Sequence, residues 1–172
     1  MILSWASMWL RCSGFVWLDA MLIGVISDTH GLLRPEARVA LAECEHILHA
    51  GDVGDAAILD ALREIAPVTA IRGNVDVSGA CRELPATEMV SLGGVVFYLV
   101  HSVDWLDLDP VAAGVQVVVS GHSHRPSVSG KGGVVYLNPG SAGPRRFRLP
   151  VSVALVTLGD EVQARVIELS VG

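Results

Sequence analysis

Asp28, His30, Asp52, Asn74, His101, His122 and His124 carry oxygen and imidazole donors, and each follows an apolar run. They fall in five short clusters: Ser27-Asp28-Thr29-His30, His49-Ala50-Gly51-Asp52, Gly73-Asn74-Val75-Asp76, His101-Ser102 and Gly121-His122-Ser123-His124. Taken singly, the aspartates read as turn or cap residues, Asn74 as a turn residue and His101 as a buried hydrogen-bonded histidine. Taken together, five apolar segments each end in a candidate ligand, and ligands of α/β sheets gather beyond the carboxyl ends of strands. Donors of this kind, without thiolate, suit Mn²⁺, Fe²⁺ or Zn²⁺. A carboxylate such as Asp52 can bridge two cations, and Asn74 offers an uncharged carbonyl oxygen.

The charge balance suits a two-metal site. Two divalent ions bring +4, Asp28 and Asp52 bring −2, and the histidines and Asn74 are neutral. The remaining +2 matches a hydroxide and a phosphoryl oxygen. Such a site loses its ions in acid, because protons compete for the imidazoles. No protein nucleophile is required, and Cys44 and Cys81 lie apart from any histidine cluster. His49 reads as a supporting or packing residue beside Asp52, and His46 as part of a solvated face.

The elements that must position these residues are legible from residue 21 onward. Leu22–Ile26, Ile47–Ala50 and Val68–Ile71 are short apolar runs that read as buried parallel strands. Pro35–Ala42 reads as a helix with proline in its first turn. Ala56–Ile65 is a second helix, with Ile58, Leu59, Leu62 and Ile65 on one face and Asp55 at its start. The second half is strand-rich: Glu88–Leu92, Gly94–Val100, Val115–Ser120, Gly133–Leu137, Val151–Leu158 and Val162–Leu169. Trp105–Ala113 offers one further helical stretch, interrupted by Pro110. The pattern implies two stacked sheets with outer helices.

The chain has 172 residues, 51% of them hydrophobic and 17% charged, enough for one domain with a substantial core. Twelve basic against eighteen acidic residues give a net charge of −6, which argues against bulk attraction to nucleic acid or anionic membranes. Three cysteines without CxxC spacing argue against a disulfide framework. Residues 1–20 hold three of the four tryptophans and read as an extension outside the core, with the domain over residues 21–172. They are too short and interrupted for a transmembrane helix and lack a basic start, so a cytoplasmic location is expected. Exposed strand edges leave a homo-oligomer open.

ISDTHG, HAGDVGD, IRGNVD, SGHSHRP and YLNPGSAGPRR jointly resemble the calcineurin-like metallophosphoesterases. The resemblance is to their small single-domain phosphodiesterase branch, which includes the retromer subunit Vps29, and it covers the chain from Met21 onward. It implies a four-layer α/β/β/α sandwich with two mixed sheets. By the family pattern Asp28, His30, Asp52 and His124 hold one ion, and Asp52, Asn74, His101 and His122 the other. Mn²⁺ is the favoured metal, with Fe²⁺, Zn²⁺ or Ni²⁺ as alternatives.

Two departures stand out. Many larger members carry a histidine after the asparagine of the GNH motif, where this chain has Val75, so the site would depend on its metals and on a good leaving group. The small branch usually has His-Gly where this chain has His101-Ser102, and the added Cβ could crowd the loop. Asp76 is expected to bond a ligand histidine or orient the Asn74 loop, and Arg125, beside His124, to meet a substrate phosphate. Arg145, Arg146 and Arg148 form a basic run that could contact phosphate or a partner and reads by default as a solvated face. The expected activity is hydrolysis of a small activated or nucleotide-like phosphodiester. The competing readings are a non-catalytic interaction scaffold of the same fold and a regulator that binds a phosphate ligand without turnover.

Overall fold

The structure, a computed structural model, describes residues 20–171. The extension expected over residues 1–20 therefore lies, apart from Ala20, outside the described residues.

The described elements are β1 (Met21–Ile26), α1 (Pro35–Ala40), β2 (His46–His49), α2 (Ala56–Arg63), β3 (Val68–Ala70), β4 (Thr87–Leu92), β5 (Val95–Val100), β6 (Val117–Val119), β7 (Ser127–Lys131), β8 (Val134–Asn138), β9 (Ser152–Leu158) and β10 (Val162–Glu168). They form two five-stranded sheets, ordered β10-β9-β1-β2-β3 and β4-β5-β6-β8-β7. Both are mixed. In the first, β1, β2 and β3 run parallel and β9 and β10 antiparallel. In the second, β5, β6 and β8 run parallel, flanked by antiparallel β4 and β7. This is the two-sheet α/β architecture expected from the sequence.

Three apolar layers hold it together. Ile23, Val25 and Leu48 of the first sheet meet Phe97, Leu99, Val117 and Leu137 of the second, all almost wholly buried. On the outer face of the first sheet, Leu41, Ile58, Leu59 and Leu62 from the helical segments cover Ile26 and Ile47. α2 begins where Asp55 accepts the Ala57 N–H at 2.9 Å. Beyond the second sheet, Leu106 and Leu108 cover Tyr98, Val100 and Val118.

That outer cover is not the helix anticipated over Trp105–Ala113. A single 3₁₀ turn spans Val103–Trp105, and a turn closes at Pro110, whose carbonyl accepts from Val115 N–H at 2.8 Å. Pro110 has no N–H to continue a helix. β7 has no counterpart in the sequence reading. Its residues Ser127–Lys131 are all exposed, so they carry no apolar signal, yet they pair along β8 from Ser127↔Asn138 to Lys131↔Val134.

The topology gathers the strand ends. The parallel strands β1, β2 and β3 point their carboxyl ends the same way, as do β5 and β6. Stacking the two sheets brings five strand-end loops to one rim.

Candidate metal centre

Each loop aspartate divides its two oxygens between holding the loops and facing the centre. Asp28 is completely buried. Its Oδ2 accepts the Ser27 hydroxyl at 2.7 Å and the His122 N–H, from the other sheet, at 3.1 Å. Its Oδ1 has no hydrogen-bond partner and stands 3.1 Å from His124 Nε2 and 3.9 Å from His30 Nε2. Asp52 is built the same way. Oδ1 accepts the Val75 N–H at 3.0 Å, while Oδ2 lies 3.4 Å from His101 Nε2 and 3.9 Å from His30 Nε2.

The histidines close the cluster. His30 Nε2 and His124 Nε2 are 3.4 Å apart. His101 is almost fully buried and donates from Nδ1 to the Ala50 carbonyl at 2.7 Å, which turns Nε2 inward. On the solvent side, His122 Nδ1 lies 3.0 Å from Asn74 Oδ1, and the His101 and His122 ring centroids are 5.2 Å apart. The seven expected residues therefore meet at one rim. Two three-residue groups have ligand atoms within 4.8 Å of one another: Asp28, His30 and His124, and Asp28, Asp52 and His101. Asp28 enters both, so the geometry seats it closer to the second group than the family pattern implies.

The donor set fits a pair of divalent cations. Burying polar atoms without partners costs free energy, and here Asp28 Oδ1 and His101 Nε2 are orphaned facing the centre. Burial lowers the His30 pKa, with Asp52 and Asp28 only partly offsetting it. Burial acts the same way on His101, but the Asp52 carboxylate and the Ala50 carbonyl outweigh it and raise the pKa. Burial would raise the Asp52 pKa, yet His101 and the Val75 N–H bring it below the usual range. Asp52 is thus held ionised, as a ligand must be.

The backbone is strained at the same residues. Among the described residues, Asp28, His30, Asp52, His122 and His124 are five of the six non-glycine residues with positive φ, between 46° and 64°. The left-handed region costs an ordinary residue roughly 1–2 kcal/mol, and such strain gathers at functional sites. Gly73 and Gly121 make room for the two carboxylates. A Cβ on Gly73 would run into the Asp52 side chain and main chain, and one on Gly121 into Ser27 and Asp28.

The supporting residues have definite places. Asp76 is buried and accepts three backbone N–H groups, from Val53 at 3.0 Å, Gly54 at 2.9 Å and Gly73 at 2.9 Å. It ties the Asp52 loop to the Asn74 loop. His49 is fully buried, with Nε2 3.0 Å from Thr29 Oγ1 and Nδ1 accepting the Gly51 N–H at 3.3 Å. Burial pushes its pKa down to about 4, so it is neutral. Asn138 donates to the Gly121 carbonyl and Ser141 to the Asp28 carbonyl, which anchors both loops from behind. Ser102 sits in extended backbone at φ −120°, which any residue adopts, and His101 keeps its contact with Asp52. Val75 is exposed.

Arg125 is exposed; its side chain lines a neighbouring cavity with Phe147, Arg148 and Leu149. Two further residues stand at the rim. Arg146, assigned by default to a solvated face, brings Nη2 to 3.5 Å from His30 Nε2. Trp105 packs its ring 5.3 Å from that of His122 and 6.0 Å from that of His101, centroid to centroid. Neither has a motif to flag it, and Trp105 reads from the sequence only as the start of the stretch Trp105–Ala113.

Residues 21–161 match the model of the calcineurin-like phosphoesterase superfamily domain. The chain is similar to a probable metallophosphoesterase of Methanocaldococcus jannaschii, 34% identical over 90% of this chain and 85% of the relative. Its fold resembles that of an archaeal phosphodiesterase (TM-score 0.73, 22% identity, 87% of this chain and all of the other). It also resembles that of Vacuolar Protein Sorting 29 from Cryptosporidium parvum (TM-score 0.70, 22% identity, 88% and 99% covered). With its matched domain, its relative and its candidate metal-binding clusters, the chain belongs to the calcineurin-like metallophosphoesterase superfamily.

Proposed function

We propose that the protein is a dinuclear metal-dependent phosphoesterase that hydrolyses small phosphodiesters. The observation that carries this reading is the placing of Asp52 Oδ2 between His30 and His101, with two orphaned buried donors beside it. Asp28, His30, Asp52 and His124 would hold one ion, and Asp52, Asn74, His101 and His122 the other. Oxygen and imidazole donors favour Mn²⁺, with Fe²⁺, Zn²⁺ or Ni²⁺ as alternatives. Two bound cations supply Lewis acidity that acidifies a water and neutralises phosphoryl charge.

The chain's own residues do the rest. Asp28 and Asp52 are aimed at the centre by the hydrogen bonds on their far oxygens. His101 is fixed in one tautomer by Ala50. Arg146 stands at the mouth beside His30 and adds positive charge where a phosphoryl oxygen would lie. Val75 has no ionisable proton, so the protein donates none to the leaving group at this position, and substrates with good leaving groups are preferred.

Phosphodiesters are favoured over monoesters on the similarity to the small branch, and the archaeal phosphodiesterase of the same fold is consistent with it. An interaction scaffold like Vacuolar Protein Sorting 29 is the second reading, but the retention of all seven donors favours an enzyme. Purified protein supplied with Mn²⁺ should cleave bis(p-nitrophenyl) phosphate faster than p-nitrophenyl phosphate. Two bound ions without hydrolysis of either ester would contradict the enzyme reading.

A further inference from the structure

The loop that carries Arg146 to the metal centre also builds a second feature. The next residue, Phe147, is 93% exposed and holds a left-handed φ of 53°. It is the one non-glycine residue with positive φ, among those described, that is not a candidate metal ligand. Aromatic residues rarely adopt this conformation and rarely stand this free of packing. Phe147, Arg148 and Leu149, together with Arg125, line an open and mostly apolar surface hollow.

Both segments that line it have a neighbour at the centre. Arg125 directly follows the ligand His124, and Arg146, between Arg145 and Phe147, reaches within 3.5 Å of His30. Four of the chain's twelve basic residues, Arg125, Arg145, Arg146 and Arg148, lie in these two segments of a protein with net charge −6. The ion pairs among the described residues engage Arg38 and Arg63, and none of these four has a carboxylate within 4.0 Å. Free guanidinium groups beside an exposed ring match a ligand with a planar base and an anionic group, by stacking and by bidentate contact with phosphate.

We propose that the Arg125–Phe147–Arg148 hollow is a specificity subsite for a second phosphate and a nucleobase, so that the preferred substrates are nucleotide diesters bearing a further phosphate. Phe147 receives the base, Arg125 and Arg148 the second phosphate, and Arg146 links this hollow to the scissile group. The substrate assignment rests on the phosphoesterase reading; the binding of the second phosphate does not.

The test uses two non-diester ligands, thymidine 3′,5′-bisphosphate and thymidine 5′-monophosphate, titrated calorimetrically into Mn²⁺-supplied protein. The wild type should bind the bisphosphate at least tenfold more tightly. That preference should drop below threefold in R148A and in R125A, and F147G should weaken both ligands. Equal affinities in the wild type, a preference unchanged in either arginine variant, or wild-type affinities in F147G would overturn the proposal. Hydrolysis of thymidine 5′-p-nitrophenyl phosphate, run in parallel, reads the phosphoesterase function separately, so the failure of one does not mask the other.

Discussion

Asp52 Oδ2 faces His101 Nε2 across 3.4 Å, with no hydrogen bond closing the gap. Each group is fixed from its far side, Asp52 by the Val75 N–H on Oδ1 and His101 by the Ala50 carbonyl on Nδ1. The pair is held in place by the two sheets rather than by its own attraction. Such preorganisation is what a cation site needs, because the ligands need not rearrange when the ion arrives.

Asp76 offers the most direct test of how the loops are kept in register. Its carboxylate satisfies three buried or half-buried N–H groups of two loops. Asp76→Ala should destabilise the protein by about 3 kcal/mol, since hydrogen bonds to a charged group contribute about 1.5–3 kcal/mol and their loss orphans the donors. Thermal unfolding should fall by roughly 6–12 °C. Metal affinity should fall with it, while Asp76→Asn, which keeps one acceptor oxygen, should lose less. A variant with wild-type melting temperature would show that the clamp contributes nothing.

His49 sets a pH dependence of stability. Its folded pKa of about 4 lies below the ordinary histidine value of 6.5, so the unfolded chain takes up the proton first. Stability should therefore be complete above about pH 6.5 and fall as pH drops towards about 4, below which this contribution is flat. The full loss is on the order of 3 kcal/mol. Urea unfolding of chelator-treated protein across this range, compared with His49→Gln, isolates the group. Parallel pH profiles for the two proteins would contradict the buried, neutral histidine.

Trp105 should report metal binding. Its half-exposed ring lies against those of His101 and His122. Mn²⁺ titration should quench part of the tryptophan fluorescence, and Trp105→Phe should diminish that change. Quenching of undiminished size in Trp105→Phe would place the signal elsewhere.

Much of this site was legible in the sequence because its residues sit where strands stop. Ile26 and Val100 end their strands as expected, β2 stops at His49, one residue short of the expected Ala50, and the ligands follow within a few residues. The φ values of Asp28, His30 and Asp52 were not legible, since left-handed conformations at non-glycine residues break local preference in favour of ligand direction. β7 carries exposed residues throughout and gave no alternation to read. Arg146 lies 116 residues from His30, and no local pattern reports a contact set by the docking of a distant loop. Pro110 ended the expected helix for a reason visible in the sequence itself.

Gly73 tests whether the Asp52 loop tolerates any crowding. Gly73→Ala would press a methyl group onto the Asp52 carboxylate and backbone. Metal affinity should fall at least tenfold, read by equilibrium dialysis, with far-UV circular dichroism unchanged. Wild-type affinity in this variant would mean that the carboxylate position is not constrained by its neighbour.

In the proposed dinuclear site Asp52 would be a ligand shared by two cations. Elemental analysis after equilibrium dialysis against Mn²⁺ tests this directly. The wild type should hold two ions per chain, and Asp52→Ala should hold fewer than one, with His101→Ala losing one ion in preference to the other. Asp52→Ala protein that still binds two ions with wild-type affinity would contradict the account.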